Sequence, residues 1–140
     1  MRGNTQMPYW RLFYHVVWST KKREPLLREV WEQDLYRYLW GKSTAIGCHP
    51  HAINGMEDHI HVALSIPPKH KISKIIGQLK GSSSRYINRE LEPNNHFAWQ
   101  AGYGVISISE SNLPKVIHYI NQQKTHHREG SIRESFEGVF

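Results

Sequence analysis

The chain reads HIHVALSI from His59 to Ile66, an alternation of polar or small residues with aliphatic ones. Successive side chains of a strand point to opposite faces, so this pattern predicts a strand with one aliphatic face in a core. The other face would carry His59, His61, Ala63 and Ser65. Pro67-Pro68 ends the strand, because proline has no backbone N–H to donate to a neighbouring strand.

Further elements are predicted on both sides of this strand. Residues 9–20 are rich in aromatic and β-branched side chains and read as a strand, while 28–46 shows the apolar spacing of a helix. The remaining predictions are strands over 48–56 and 102–109 and helices over 72–86 and from Asn112 to about His127. Apart from the last helix, this order matches a ferredoxin-like split βαβ sandwich. We therefore predict an α+β fold with an antiparallel sheet and an appended C-terminal helix that carries Tyr119.

Length and composition indicate a single globular domain over 1–140. A chain of 140 residues with 39% hydrophobic and 21% charged residues can bury a core and is not typical of a disordered segment. No apolar stretch approaches the roughly 20 residues that a membrane helix needs, and no signal peptide is visible. Cys48 is the single cysteine, which excludes an internal disulfide. We expect a cytoplasmic protein without a membrane partner.

The charge balance favours a polyanionic partner. The chain has 18 Lys and Arg against 12 Asp and Glu, a net charge of +6. Such a balance favours nucleic acid first, because basic side chains neutralise phosphates and release counterions.

The histidines at 59 and 61 are the sharpest local feature. Residues two apart on a strand lie on one face about 7 Å apart, so two imidazoles there can bind one divalent ion. The alternative is an exposed strand with two unrelated histidines. His49-Pro50-His51 has the same spacing, but its proline indicates a sheet edge or an irregular backbone. The pair His59 and His61 is therefore the better candidate.

The last helix supplies a second group of candidate residues. Tyr119 and Gln123 lie one turn apart, beside an apolar stripe formed by Leu113, Val116, Ile117 and Ile120. A tyrosine beside such a stripe most often serves packing. If the helix covers the histidine strand, the phenol can instead act as a nucleophile. The Gln123 amide oxygen can then join His59 and His61 as a third ligand for Mg²⁺ or Mn²⁺.

Five segments resemble, in order, the single-tyrosine HUH transposases, a family that includes the repeat-associated tyrosine transposases. The segments are YHVVWSTKKREPLL (14–27), DHIHVALSIPP (58–68), residues 74–84, AWQAGYGVISISES (98–111) and HYINQQ (118–123). The resemblance spans about residues 9 to 136.

The resemblance implies an activity and a role for each candidate residue. Tyr119 would attack a phosphate of single-stranded DNA, leaving a 5′-phosphotyrosine bond and a free 3′-OH. His59, His61 and Gln123 would hold the divalent metal. Gln123 is preferred to Gln122 because the fourth residue along a helix returns to the tyrosine's face. The family also implies DNA hairpins as substrates, no nucleoside triphosphate, and a homodimer whose sites can combine residues of both subunits.

Basic residues fall into three groups, and either a solvated surface or phosphate contacts would explain them. The candidate DNA-binding residues are Lys21, Lys22, Arg23, Lys69, Lys71, Lys80, Arg85 and Arg89. Aromatic residues such as Trp18 or Trp99 are more often core, although they could stack on unpaired bases.

Two other functions stay open at this point. The first is a passive RNA-binding module, since Gly102-Tyr103-Gly104 resembles the start of an RNA-recognition signature. Val105 and Ile108 occupy positions where that signature has aromatic residues. An RNA-binding module also explains neither the histidine pair nor the Tyr119–Gln123 spacing. The second is a transposase that has kept its fold and hairpin binding for a host role.

Overall fold

The computed structural model of the chain describes residues 9–125, and their helices and strands follow the predicted order. The elements are β1 Phe13–Ser19, α1 Glu32–Ala45, β2 His49–Met56, β3 His59–Ser65, α2 Ile72–Tyr86, β4 Gly104–Ile108 and α3 Leu113–Asn121. Short helical turns occur at Lys21–Arg23, Ile87–Leu91 and Glu110–Asn112. Within this part of the chain, every helix is too short or too polar to cross a bilayer.

The four strands form one antiparallel sheet in the order β2-β3-β1-β4. The helix α1 connects β1 to β2, and α2 connects β3 to β4. The strand order places β3 and β1 at the centre of the sheet. This is the ferredoxin-like arrangement, and the predicted α+β fold is confirmed. Pro50 lies in the edge strand β2 beside an irregularity in its pairing with β3, as its missing N–H predicts.

One face of the sheet packs against α1 and α2 and forms the main core. Its strand residues include Val16, Trp18, Ile60, Val62 and Leu64, and its helix residues include Leu35, Leu39, Ile75, Ile76 and Leu79. Burying one such aliphatic side chain contributes about 1.5–3 kcal/mol, so this layer is the chief source of stability.

The opposite face of the sheet is covered by α3 and has a different composition. Ala52 and Ala63 of the strands pack there against Val116 and Ile120 of the helix. The same face carries five buried polar side chains, namely His15, Ser19, His59, His61 and Ser65. Burying polar groups is unfavourable unless they form hydrogen bonds. Their concentration on one face therefore indicates a site for chemistry more than simple packing.

The largest differences from the prediction lie in three elements. β1 begins at Phe13, and α1 begins at Glu32, because Trp31 at its N-cap has a non-helical φ of −129°. α3 ends at Asn121, where Gln122 leaves the helical conformation with φ −103° and ψ 20°, and residues 123–125 are helical again. The predicted end of that helix near His127 lies outside the described residues.

The two tryptophans considered for base stacking serve the core instead. Trp18 is fully buried and makes an edge-on contact with Trp99, with ring centroids 5.8 Å apart. Trp99 in turn donates its indole N–H to Ser83 Oγ at 3.0 Å. Base stacking by Trp18 was therefore a wrong alternative, because no face of its ring reaches solvent.

Gly55 of β2 lies where the strand passes close to the start of β3. A Cβ at this position would overlap the backbone carbonyl of His59 and lie 2.9 Å from Ile60 Cα. Because these are backbone atoms of the neighbouring strand, we expect Gly55→Ala to lower the free energy of unfolding by roughly 1–3 kcal/mol. Urea unfolding measures the change.

Gly77 of α2 provides the matched control. It is exposed, and a Cβ there would meet no atom within 4 Å. Gly77→Ala should raise stability by about 0.5–1 kcal/mol, because alanine is the better helix former. Equal stability of Gly55→Ala and the wild type would contradict this account of the close approach between β2 and β3.

Candidate active site

Two buried histidines lie side by side on β3. His59 and His61 are 3% and 0% exposed, and their ring centroids are 5.1 Å apart with planes at 72°. Both face α3, because strand alternation places them on the side of the sheet that also carries Ala63. The structure thus brings the two imidazoles together beneath the helix.

Each of these imidazoles has its Nδ1 atom engaged in a hydrogen bond. His59 Nδ1 lies 2.7 Å from a carboxylate oxygen of Asp58, and His61 Nδ1 lies 2.8 Å from Nε2 of His15. Metal-bound histidines usually use one ring nitrogen for the metal and the other for such a partner. Nε2 is therefore the atom through which each ring would bind a metal.

The tyrosine of α3 reaches the same face of the sheet, and Gln123 follows in the chain just after the helix. Tyr119 is 3% exposed, and its ring centroid lies 6.2 Å from that of His61, at 75° between the planes. Gln123 is fully buried, whereas Gln122 is only half-buried. The burial difference follows the expected helical phase, although the helix ends between the tyrosine and the glutamine.

The chemistry of these donors suits a divalent cation with mixed nitrogen and oxygen ligands. The described residues contain no group of three His, Cys, Asp or Glu side chains placed to hold a metal ion. An amide oxygen could complete a donor set with the imidazoles of His59 and His61, and Gln123 carries one. Three protein ligands leave open positions for phosphate oxygens and water.

The basic loop after β1 lies next to the histidines. Ser19 pairs with His59 in the sheet, so the turn Lys21–Arg23 begins beside the site. Arg23 reaches Asp58 at 3.5 Å, on the carboxylate oxygen that does not contact His59. Lys22 and Arg23 adopt left-handed φ angles of 57° and 55°, a conformation that costs non-glycine residues energy. Three exposed cations thus stand at the edge of the candidate site.

The other candidate DNA-binding residues lie in different surroundings. Lys69 and Lys71 are exposed beyond the far end of β3, and Arg85 and Arg89 are exposed at the end of α2 and in the turn after it. Lys80 differs, because its ammonium donates to the carbonyls of Gln100 and Gly102 at 2.7 and 2.6 Å. Burial lowers the pKa of Lys80. These contacts give the Lys80 side chain a structural role, since they bind α2 to the segment before β4.

Lys124 fixes the segment that follows α3. Its ammonium donates to the backbone carbonyl of Gly55 at 2.9 Å and pairs with the carboxylate of Glu32 at 2.6 Å. Glu32 is itself buried at the start of α1 and accepts a hydrogen bond from Tyr36. Lys124 directly follows Gln123, so these contacts anchor the chain after α3 to both β2 and α1.

The sequence interpretation missed three residues of this region, namely His15, Asp58 and Lys124. Asp58 stands directly before the histidine pair, which is a signal that could have identified it. His15 occupies a period-2 position in a predicted strand, but its contact with His61 depends on which strands are neighbours. Lys124 carries no local signal, since its partners Glu32 and Gly55 are distant in the sequence.

A ferredoxin-like sheet with a His-x-His pair beneath a helical tyrosine defines the class of the single-tyrosine HUH enzymes. The chain belongs to the family of IS200-like transposases, whose sequence profile matches residues 8–123. Membership of this family makes the protein a transposase, an enzyme of DNA transposition and recombination.

Individual relatives agree with this assignment. The chain is similar to the ISDra2 transposase TnpA of Deinococcus radiodurans, with 27% identity over 81% of this chain and 85% of the relative. It is similar to the transposase for insertion sequence element IS200 of Salmonella typhimurium, with 29% identity over 81% and 78% of the two chains.

Two solved structures share the fold. A crystal structure from Deinococcus radiodurans, assigned as a transposase, has a TM-score of 0.67 and 28% identity, over 84% of this chain and 95% of that one. A REP-associated tyrosine transposase bound to a REP hairpin has a TM-score of 0.62 at 13% identity, over 90% of this chain and 76% of that one. The second likeness shows the fold.

We expect Lys124→Met to loosen the segment that holds Gln123. The substitution leaves the buried Glu32 carboxylate without its cationic partner, so the free energy of unfolding should fall by about 1–3 kcal/mol. Amide hydrogen exchange should accelerate more in residues 119–125 than elsewhere. Lys115→Met, at an exposed position of α3, is the control and should change neither quantity. Unchanged exchange in 119–125 would contradict the role given to Lys124.

Proposed function

We propose that this transposase cleaves and rejoins single-stranded DNA through a covalent bond between Tyr119 and a 5′ phosphate, assisted by Mg²⁺ or Mn²⁺. The observation that carries the proposal is the approach of Tyr119 to His61, with ring centroids 6.2 Å apart beneath α3. A tyrosine buried beside a pair of buried histidines is better placed for chemistry than for packing alone.

The reaction is an exchange of phosphate esters. Tyr119 Oη attacks the phosphorus, the bond from phosphorus to the 3′ oxygen breaks, and the phenol loses a proton while the 3′ oxygen gains one. Attack of a 3′-OH on the tyrosyl phosphate reverses the step and joins two strands. One phosphate ester replaces another each time, so the reaction needs no nucleoside triphosphate.

His59 and His61 would hold the metal through Nε2, and Gln123 would hold it through its amide oxygen. When bound there, the ion supplies Lewis-acid polarisation of the phosphate and stabilises charge on the leaving oxygen. The Asp58 carboxylate orients His59 and brings a negative charge close to the ligands. Two imidazoles favour Mn²⁺ over Mg²⁺, because Mg²⁺ prefers an all-oxygen shell.

DNA hairpins are the proposed substrate. A fold relative of this chain is a transposase bound to a REP hairpin. The net charge of +6 and the exposed turn Lys21–Arg23 beside His59 support phosphate contacts at the site. The RNA-binding alternative gains no support, because the exposed large side chains of β4 are the aliphatic Val105 and Ile106.

A homodimer is the proposed assembly. Within residues 9–125, no strand pairs with the outer edge of β4, and Val105 and Ile106 are 37% and 45% exposed there. A second copy of this edge would satisfy the open backbone groups and cover both side chains.

The first test concerns the nucleophile. Tyr119→Phe should abolish the SDS-resistant adduct that the wild type forms with labelled single-stranded DNA bearing its hairpin and cleavage site. Binding of the hairpin should stay within about twofold, since a phenol that reacts with the scissile phosphate adds little to hairpin affinity. Gel electrophoresis measures the adduct, and fluorescence anisotropy measures binding. An adduct that survives this substitution would move the nucleophile elsewhere.

The second test concerns the third ligand. Gln123→Ala should raise the Mn²⁺ concentration needed for half-maximal adduct formation by at least about tenfold, as expected for loss of a metal-site group. Gln122→Ala is the matched control, because Gln122 is the same residue type one position away and only half-buried. Equal effects of the two substitutions would show that the amide ligand is wrongly assigned.

A further inference from the structure

We propose that His15 is a positioning residue, which holds His61 in the tautomer that binds metal through Nε2. The inference rests on the proposed metal site at His59, His61 and Gln123. It concerns a residue outside the ligand set, on a different strand.

The sheet brings His15 and His61 together across two central strands. His15 pairs with Ala63, and His61 pairs with Val17, so the two histidines are diagonal neighbours on the face beneath α3. His15 Nε2 lies 2.8 Å from His61 Nδ1, and the rings are 5.0 Å apart and 30° from parallel. Exposed fractions of 2% and 0% exclude bulk water from this contact.

The direction of this hydrogen bond decides what His61 can do. A neutral imidazole carries one N–H, so one ring must donate and the other must accept. If His61 binds a metal through Nε2, its proton resides on Nδ1, and Nδ1 then donates to His15 Nε2. The opposite direction would place the His61 proton on Nε2 and block the ligand atom. His15 therefore supports metal binding when its Nε2 is the acceptor.

Burial makes this contact consequential. A buried N–H that loses its acceptor is unfavourable, so without His15 the His61 ring would be driven to another tautomer or orientation. Asp58 performs the corresponding task for His59. The two ligands are thus oriented differently, one by a carboxylate and the other by a second imidazole.

Three variants separate positioning from packing. His15→Phe keeps a ring of similar size and removes the acceptor, whereas His15→Gln keeps an acceptor oxygen. His51→Phe is the matched control, because His51 is a half-buried histidine of the same sheet whose Nε2 contacts Ser65 Oγ at 2.7 Å. Urea unfolding verifies that each variant is folded.

The experiment measures Mn²⁺ binding to the full chain without DNA by isothermal titration calorimetry at one pH. We expect His15→Phe to weaken binding by about 10–100-fold, the usual effect of losing the partner of a ligating histidine. His15→Gln should recover most of that loss, and His51→Phe should bind like the wild type. Long-range ¹H–¹⁵N NMR of the metal-free wild type should show the His61 proton on Nδ1.

The outcomes distinguish this inference from the proposed function. A wild type that binds no Mn²⁺ would overturn the metal site itself. Binding by the wild type and equally by His15→Phe would overturn the role of His15 and leave the metal site standing. If His15→Phe does not fold, the NMR result decides, and a proton on Nε2 of His61 would overturn the inference.

Discussion

The register of β1 against β3 is the constraint on which the site depends. Val17 lies opposite His61, and this pairing assigns both histidines of β3 to the face beneath α3. Strand side chains alternate with a period of two. A shift of the pairing register by one residue would therefore turn the histidines toward the main core. The aliphatic residues that fill the core, such as Ile60 and Val62, therefore also fix where the imidazoles point.

The two faces of the sheet divide stability from chemistry. The face under α1 and α2 is packed with large apolar side chains, whereas the face under α3 combines alanines with buried histidines and two serines. Alanines at 52 and 63 leave room for Val116 and Ile120, so the helix can lie close to the sheet. The polar groups in this thin layer are then shielded from water. Hydrogen bonds and charges have stronger effects in such a low-dielectric interior.

Much of the fold was predictable because its signals are local. The alternation over 59–66 predicted β3 and the common face of its histidines, and the apolar stripe from Leu113 to Ile120 predicted the helix that carries Tyr119. The contact of His15 with His61 was not predictable, because it joins residues 46 apart in sequence and requires the strand order. The Lys124 contacts and the end of α3 at Asn121 are likewise set by tertiary packing.

The close approach of β2 to β3 at Gly55 has an evolutionary consequence. Gly55 contributes no side chain to the candidate site, yet any larger residue would press on the backbone that carries His59. Its own carbonyl also receives the Lys124 ammonium. Sequence drift at this position would therefore be restrained, although the residue performs no chemistry. An invariant residue among many homologues can thus mark the space that a reactive group needs, although it takes no part in the reaction.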